Sequence, residues 1–243
     1  MSRISQRGVV APFSMFSTDT DASLKTLVGT KWDTSDGREL TFVFNSSAGA
    51  LTAGTLVQAP IIIANHVNLT TVVTTYTAAI GATQIQVTLG GTAITKDQYQ
   101  GGYAVINAGT GIGQTLKISG NAAQATTTGN VVITLEDPLM VALSETSKVS
   151  LYLNQFYAVI ASVNTARPIG VTIAPLAAST YGFVCNKGLV SALNQGGTTV
   201  ILGLAPSTTS GAMETVAATT TQIAMAAAAG TSGENAMVLM MLP

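Results

Sequence analysis

The sequence predicts an all-β protein: two small β-barrel or sandwich-like domains with an extended N-terminal arm. Three observations lead there. Short runs rich in Val, Ile, Thr and aromatic residues recur through most of the chain, each bounded by Gly, Asn, Asp or Pro. Where the pattern is cleanest, in "QIQVTL" (residues 84–89), Ile85, Val87 and Leu89 alternate with polar residues and share one face. No amphipathic helical stretch alternates with these runs, so a parallel βαβ architecture is not expected.

The elements follow in order. Residues 1–36 differ from the rest and show no clean period, so they read as an arm, with a short helix around "DASLKTLVG". "DTSDGREL" is a turn signal before the first clear strand, "ELTFVFN". "GALTAGTLVQAP" continues the strand pattern, and "GGYAVIN", "GQTLKISG", "NVVITLED" and "KVSLYLNQFYAVIAS" follow at short intervals. The C-terminal third is again strand and turn, with one Ala-rich piece, residues 224–229, that suits a short helical turn because Ala is the best helix former. The segment from about Leu69 to Leu153 behaves as one compact strand set. The expected organisation is therefore an arm (1–36), a barrel-like domain made of 37–66 plus 156–243, and an inserted β domain (67–155).

Composition narrows the function classes. Of the 243 residues 47% are hydrophobic and only 9% charged, against about 25% charged in an ordinary soluble domain. The missing charge is replaced by small, hydrogen-bonding residues, a surface suited to close packing against other subunits. The net charge of −1 carries no electrostatic footprint for nucleic acid or an anionic membrane. No apolar run approaches the roughly 18 residues of a membrane span, and the start of the chain lacks the apolar core of a signal peptide. Cys185 is the single cysteine, so no internal disulfide forms, and its apolar context reads as a small core residue.

Each motif with possible chemistry has a plainer reading. Gly109, Gly111 and Gly113 follow an apolar run, as phosphate-binding loops do. The spacing is G-x-G-x-G rather than G-x-G-x-x-G, and "QTLKIS" after it reads as strand, not helix. A P-loop would need Gly at position 108 and Lys at 114, where Ala108 and Gln114 stand. The segment is expected to be a hairpin loop. His66, the only histidine, has no identifiable nucleophile partner and reads as structural. Glu136 and Asp137 are adjacent and read as a strand end and turn. Asp19, Asp21, Asp33 and Asp36 lack the ligand density of a calcium loop. Lys187-Gly188 reads as a β-turn, and Arg167-Pro168 as a strand start. Met225, Met237, Met240 and Met241 read as core filler or an adaptable contact surface. No catalytic residue, cofactor site or metal site is expected, and the chain is not expected to be an enzyme.

The arm offers the candidate partner-binding residues: Arg3, Arg7, Phe13, Phe16 and Trp32. Aromatic and Arg side chains dominate interface hot spots. Either these side chains anchor a partner, or the arm folds back on its own barrel.

The residues also resemble a family. "GALTAGTLVQAP", "ARPIGVTIAPLAASTYGFVCNKGLVSAL" and "QIAMAAAAGTSGENAMVLMMLP" are similar to segments of tailed-bacteriophage capsid decoration (cement) proteins. The block "DQYQGGYAVINAGTGIGQTLKISGNA" through "TSKVSLYLN" resembles a β domain of phage virion structural proteins. The resemblance covers most of residues 40–243, and this chain is longer than the simplest decoration proteins. It implies a non-enzymatic virion protein on the capsid exterior, made in the host cytoplasm. Its partners would be the major capsid protein and further copies of itself, commonly as a trimer. A tail or fibre protein and a glycan-binding β-sandwich are the alternatives.

Overall fold

The computed structural model describes residues 4–6, 9–10, 14–197, 199–217 and 221–242. Strands account for 41% of the chain and helix for 4%, which places it in the all-β class. The described strands in chain order are β1 (Ile4–Gln6), β2 (Val9–Val10), β3 (Lys31–Thr34), β4 (Glu39–Asn45), β5 (Leu56–Gln58), β6 (Leu69–Thr71), β7 (Gln84–Thr88), β8 (Tyr103–Ala108), β9 (Thr115–Asn121), β10 (Asn130–Leu135), β11 (Lys148–Tyr152), β12 (Tyr157–Ala161), β13 (Pro168–Thr172), β14 (Tyr181–Leu193), β15 (Gly203–Pro206), β16 (Met213–Thr215), β17 (Ala224–Ala226) and β18 (Asn235–Met241). Two compact units result: Met1–Pro60 with Gln155–Pro243, and Ile61–Asn154.

In the first unit, strands β14, β13, β5, β12 and β4 pair in a ring that closes through β14–β4. Strand β14 spans both halves of this unit. Its first part pairs with β4 (Phe183 opposite Phe42), and its second part pairs with β18 (Leu189 opposite Leu239). The β4 pairing ends and the β18 pairing begins at Lys187; the register against β4 shifts between Cys185 and Lys187, and the adjoining Gly188 has φ +95°. The expected turn at this dipeptide is thus a bulge inside a 13-residue strand. Beyond β18 the sheet continues through β17, β15 and β16; beyond β4 it continues through β3, β1 and β2.

The core of this unit is aromatic. Phe42 stacks on Tyr181 at 5.8 Å and meets Phe183 edge-on at 5.0 Å. Trp32 meets Phe183 at 6.4 Å with the rings nearly perpendicular, and Met15 is buried in the same cluster. From residue 14 onward the expected arm is therefore part of this unit. Its helix is a 3-10 turn over Ala22–Leu27, started by the Asp21 carboxylate, which accepts a hydrogen bond from the Ser23 amide at 2.9 Å. The Ala-rich piece forms strand β17, not a helical turn, because Ala224 and Ala226 are drawn into the sheet between β15 and β18.

The second unit is a closed six-stranded barrel, β10-β7-β6-β11-β8-β9, antiparallel throughout. Ile85, Val87 and Leu89 all point into its core with Ile106, Ile118, Ile133 and Val149, as period-two alternation requires. The glycine-rich segment is the hairpin loop between β8 and β9. Gly109, Gly111 and Gly113 have φ of +75°, +81° and +94°, the left-handed region that only Gly enters without strain.

Candidate interaction surface

Strand β18 defines the surface. Its inward residues Ala236, Val238 and Met240 are buried in the first unit's core. Its outward residues Met237, Leu239 and Met241 are apolar as well, and the matching outward position on β14 is Leu189. These four side chains are each between 39 and 52% exposed. Register places Met225, Leu239 and Leu189 in one row across β17, β18 and β14, so their side chains lie side by side on one sheet face. A strand apolar on both faces is the pattern of one covered on both faces.

The exposed Phe16 ring extends this face. It bounds an open groove of about 370 Å³ with Asp36, Arg38, Leu189, Asn235 and Met237. The charges at its edge are paired within the chain. Arg38 binds Asp36 through Nη2 at 2.7 Å and Nε at 2.9 Å. That guanidinium, helped by the Thr34 hydroxyl, holds the Asp36 carboxyl down to about 2. Lys31 binds Glu39 at 2.9 Å, and Lys187 lies 3.8 Å from the same carboxylate. The result is an apolar patch with a charge-compensated rim, the anatomy of a protein-contact surface.

The five sequence candidates scatter. Arg3, Arg7 and Phe13 lie outside the described residues. Phe16 is on the apolar face. Trp32 is only 4% exposed and packs into the core of its own unit, so its role is internal and not that of a partner anchor. Sequence reasoning missed Leu189 and Leu239; the signal was the unbroken apolar run "AMVLMML", which lacks the polar alternation of a half-buried strand.

The remaining motifs are structural. His66 is fully buried; its Nε2–H donates to Thr92 O at 2.9 Å, so Nδ1 accepts from the Tyr99 hydroxyl at 2.6 Å. Burial pushes the Tyr99 hydroxyl up and keeps it protonated as that donor. Glu136 forms a solvated ion pair with Lys117 at 3.0 Å. Asp19 and Asp21 accept hydrogen bonds from the amides of Thr20, Asp21 and Ser23. Burial pushes the Cys185 thiol up to about 11. Among the described residues no three His, Cys, Asp or Glu are grouped to hold a metal ion, and no helix is long and apolar enough to cross a membrane.

Compared with family models, curated proteins and solved structures, the chain matches none.

Proposed function

We propose that the protein is a non-enzymatic phage virion protein that binds the outside of the capsid lattice and reinforces it. The observation that carries this reading is the apolar outward face of β14 and β18, with Leu189, Met237, Leu239 and Met241 exposed where a solvated sheet face would be polar. Methionine-rich surfaces adapt to a partner's relief, and the major capsid protein is the proposed occupant. The low charge of the chain supports the reading too, since many copies then crowd onto one shell without mutual repulsion. Modest contacts repeated across a lattice supply avidity. The sequence resemblance to decoration proteins points the same way.

The test is copy number in purified virions, by quantitative mass spectrometry against the major capsid protein. A ratio near one, or a simple fraction set by the symmetry axes, supports decoration. A few dozen copies indicate a tail or fibre component, and absence from the particle overturns the virion reading. With preformed shells, Leu239→Asp is expected to weaken binding at least tenfold, ~1.4 kcal/mol, because a carboxylate is desolvated at the contact. Unchanged binding would remove this face from the proposal.

A further inference from the structure

The second unit carries its own exposed apolar cluster, at one end of the barrel. Three loops meet there: 78–83, 109–114 and 138–144. Backbone hydrogen bonds tie the first to the third, from Gly81 N to Leu139 O at 2.8 Å, Leu139 N to Ala82 O at 2.9 Å and Leu143 N to Ala78 O at 2.8 Å. Gln114 ties the second to the third. Its Oε1 accepts from the amides of Met140 at 2.9 Å and Val141 at 3.0 Å. Its Nε2 donates to Val141 O at 3.1 Å and Gly111 O at 3.2 Å. On this braced platform Ile80, Ile112, Met140 and Val141 are 46 to 74% exposed.

Strand direction separates the platform from the points where the chain enters and leaves this unit. Tyr152, where the chain leaves β11, is opposite Tyr103 at the start of β8, whereas the 109–114 loop follows the end of β8. On the entry side, Asn65 O accepts from Gly90 N and His66 binds Thr92 O, both beyond the end of β7 remote from loop 78–83. Both chain connections of this unit thus lie at the barrel end opposite the platform.

We infer that this platform is a contact between copies of the chain. In a symmetric contact each residue near the axis faces its own copy, so a charge there would meet the same charge. The three loops contain no Asp, Glu, Lys or Arg. A differently charged partner would find nothing on them to complement. Of the acidic groups beside the loops, Glu136 is paired with Lys117 at 3.0 Å, while Asp137 and Glu145 are exposed and border loop 138–144 directly. Thr83, Thr110, Ser144 and Thr146 supply an uncharged, hydrogen-bonding rim. The four aliphatic residues, 46 to 74% exposed, form the kind of apolar centre that a contact surface carries. This inference does not rest on the shell reading.

Sedimentation velocity of the full chain over a wide concentration range tests it. Wild type is expected to self-associate, and Ile112→Asp and Met140→Asp each to weaken that association at least tenfold. Val200→Asp, an exposed aliphatic position in the first unit, is expected to leave it unchanged. Cysteine variants guard against misfolding. Met140→Cys is expected to be trapped as linked copies by a short bis-maleimide, and Val200→Cys is not; the buried Cys185 does not compete. A chain monomeric at every concentration overturns the inference. So does association that survives both Asp variants, or equal cross-linking at positions 140 and 200. Loss of shell binding alone leaves it standing.

Discussion

Replacing Gln114 with alanine removes four hydrogen bonds at once. Two are accepted from the amides of Met140 and Val141, and two are donated to the carbonyls of Val141 and Gly111. A net hydrogen bond contributes about 0.5–1.5 kcal/mol. The site is solvent-accessible, so water replaces part of each bond, and the four together amount to about 1–2 kcal/mol rather than their sum. That cost falls on the loops, because Gln114 bridges the hairpin tip to 138–144 and does not reach the barrel core. Local opening of the Met140–Val141 segment then becomes roughly tenfold more frequent. The assay is amide hydrogen exchange followed by NMR. Met140 and Val141 are expected to exchange about tenfold faster, with core amides such as Ile106 and Ile118 unchanged. Gln114→Glu is the informative companion: it keeps an acceptor for both amides and loses only the donation, so their protection is expected to persist. Wild-type exchange at Met140 and Val141 in the alanine variant would refute the bracing role. Equal acceleration across the barrel would refute its local character.

Two further outcomes follow from the first unit. With its thiol raised to about 11 by burial, Cys185 presents on the order of one thiolate in a thousand at pH 8. A thiol reagent is expected to label it only at the rate of unfolding, and prompt labelling of a chain with native circular dichroism would refute its place in the core. Asp36 is held down to about 2 from 3.8, first by its hydrogen bond from Arg38 and then by Thr34. A depressed carboxyl stabilises the fold above its unfolded value and loses that contribution as pH falls through the folded one. The stability difference between wild type and Asp36→Asn is therefore expected to be present at neutral pH, to fade as pH drops below about 4 and to vanish below about pH 2. It is under about 1 kcal/mol because the pair is half-exposed and screened. A difference that persists unchanged at low pH would refute the ion pair as its source.

Much of the local structure was legible in the chain. Alternation at Ile85, Val87 and Leu89 named the inward face of β7, and the structure buries all three. The G-x-G-x-G spacing followed by a β-branched run marked a hairpin loop. Legibility ended where two readings share one local pattern. Lys187-Gly188 has turn chemistry, but a bulge uses the same left-handed glycine, and only the switch of β14 from β4 to β18 distinguishes them. Trp32, in a segment without period, suited either a partner anchor or an arm folded back on its own barrel, and Phe183, 151 positions away in the sequence numbering, receives it. The candidate surface was half visible: Met237 and Met241 stood out as methionines, while nothing singled out Leu189 and Leu239.

The sequence by itself determined the all-β class, the turn positions, the inward residues of regularly alternating strands and the low charge of the surface. These depend on neighbours within a few residues: side-chain branching, Gly backbone freedom and the two-residue period of a strand. Only the tertiary structure decided which face of the doubly apolar β18 is covered, that the Trp32 segment joins the core, and that Gln114 and a set of backbone hydrogen bonds gather three loops into one apolar platform. Each depends on partners far along the chain, as where the Thr41 hydroxyl donates to Asn186 at 2.6 Å across 145 residues. A local pattern states what a residue tolerates. Which of two tolerated environments it receives is set by the closure of distant strands, whose pairing energy no short window contains.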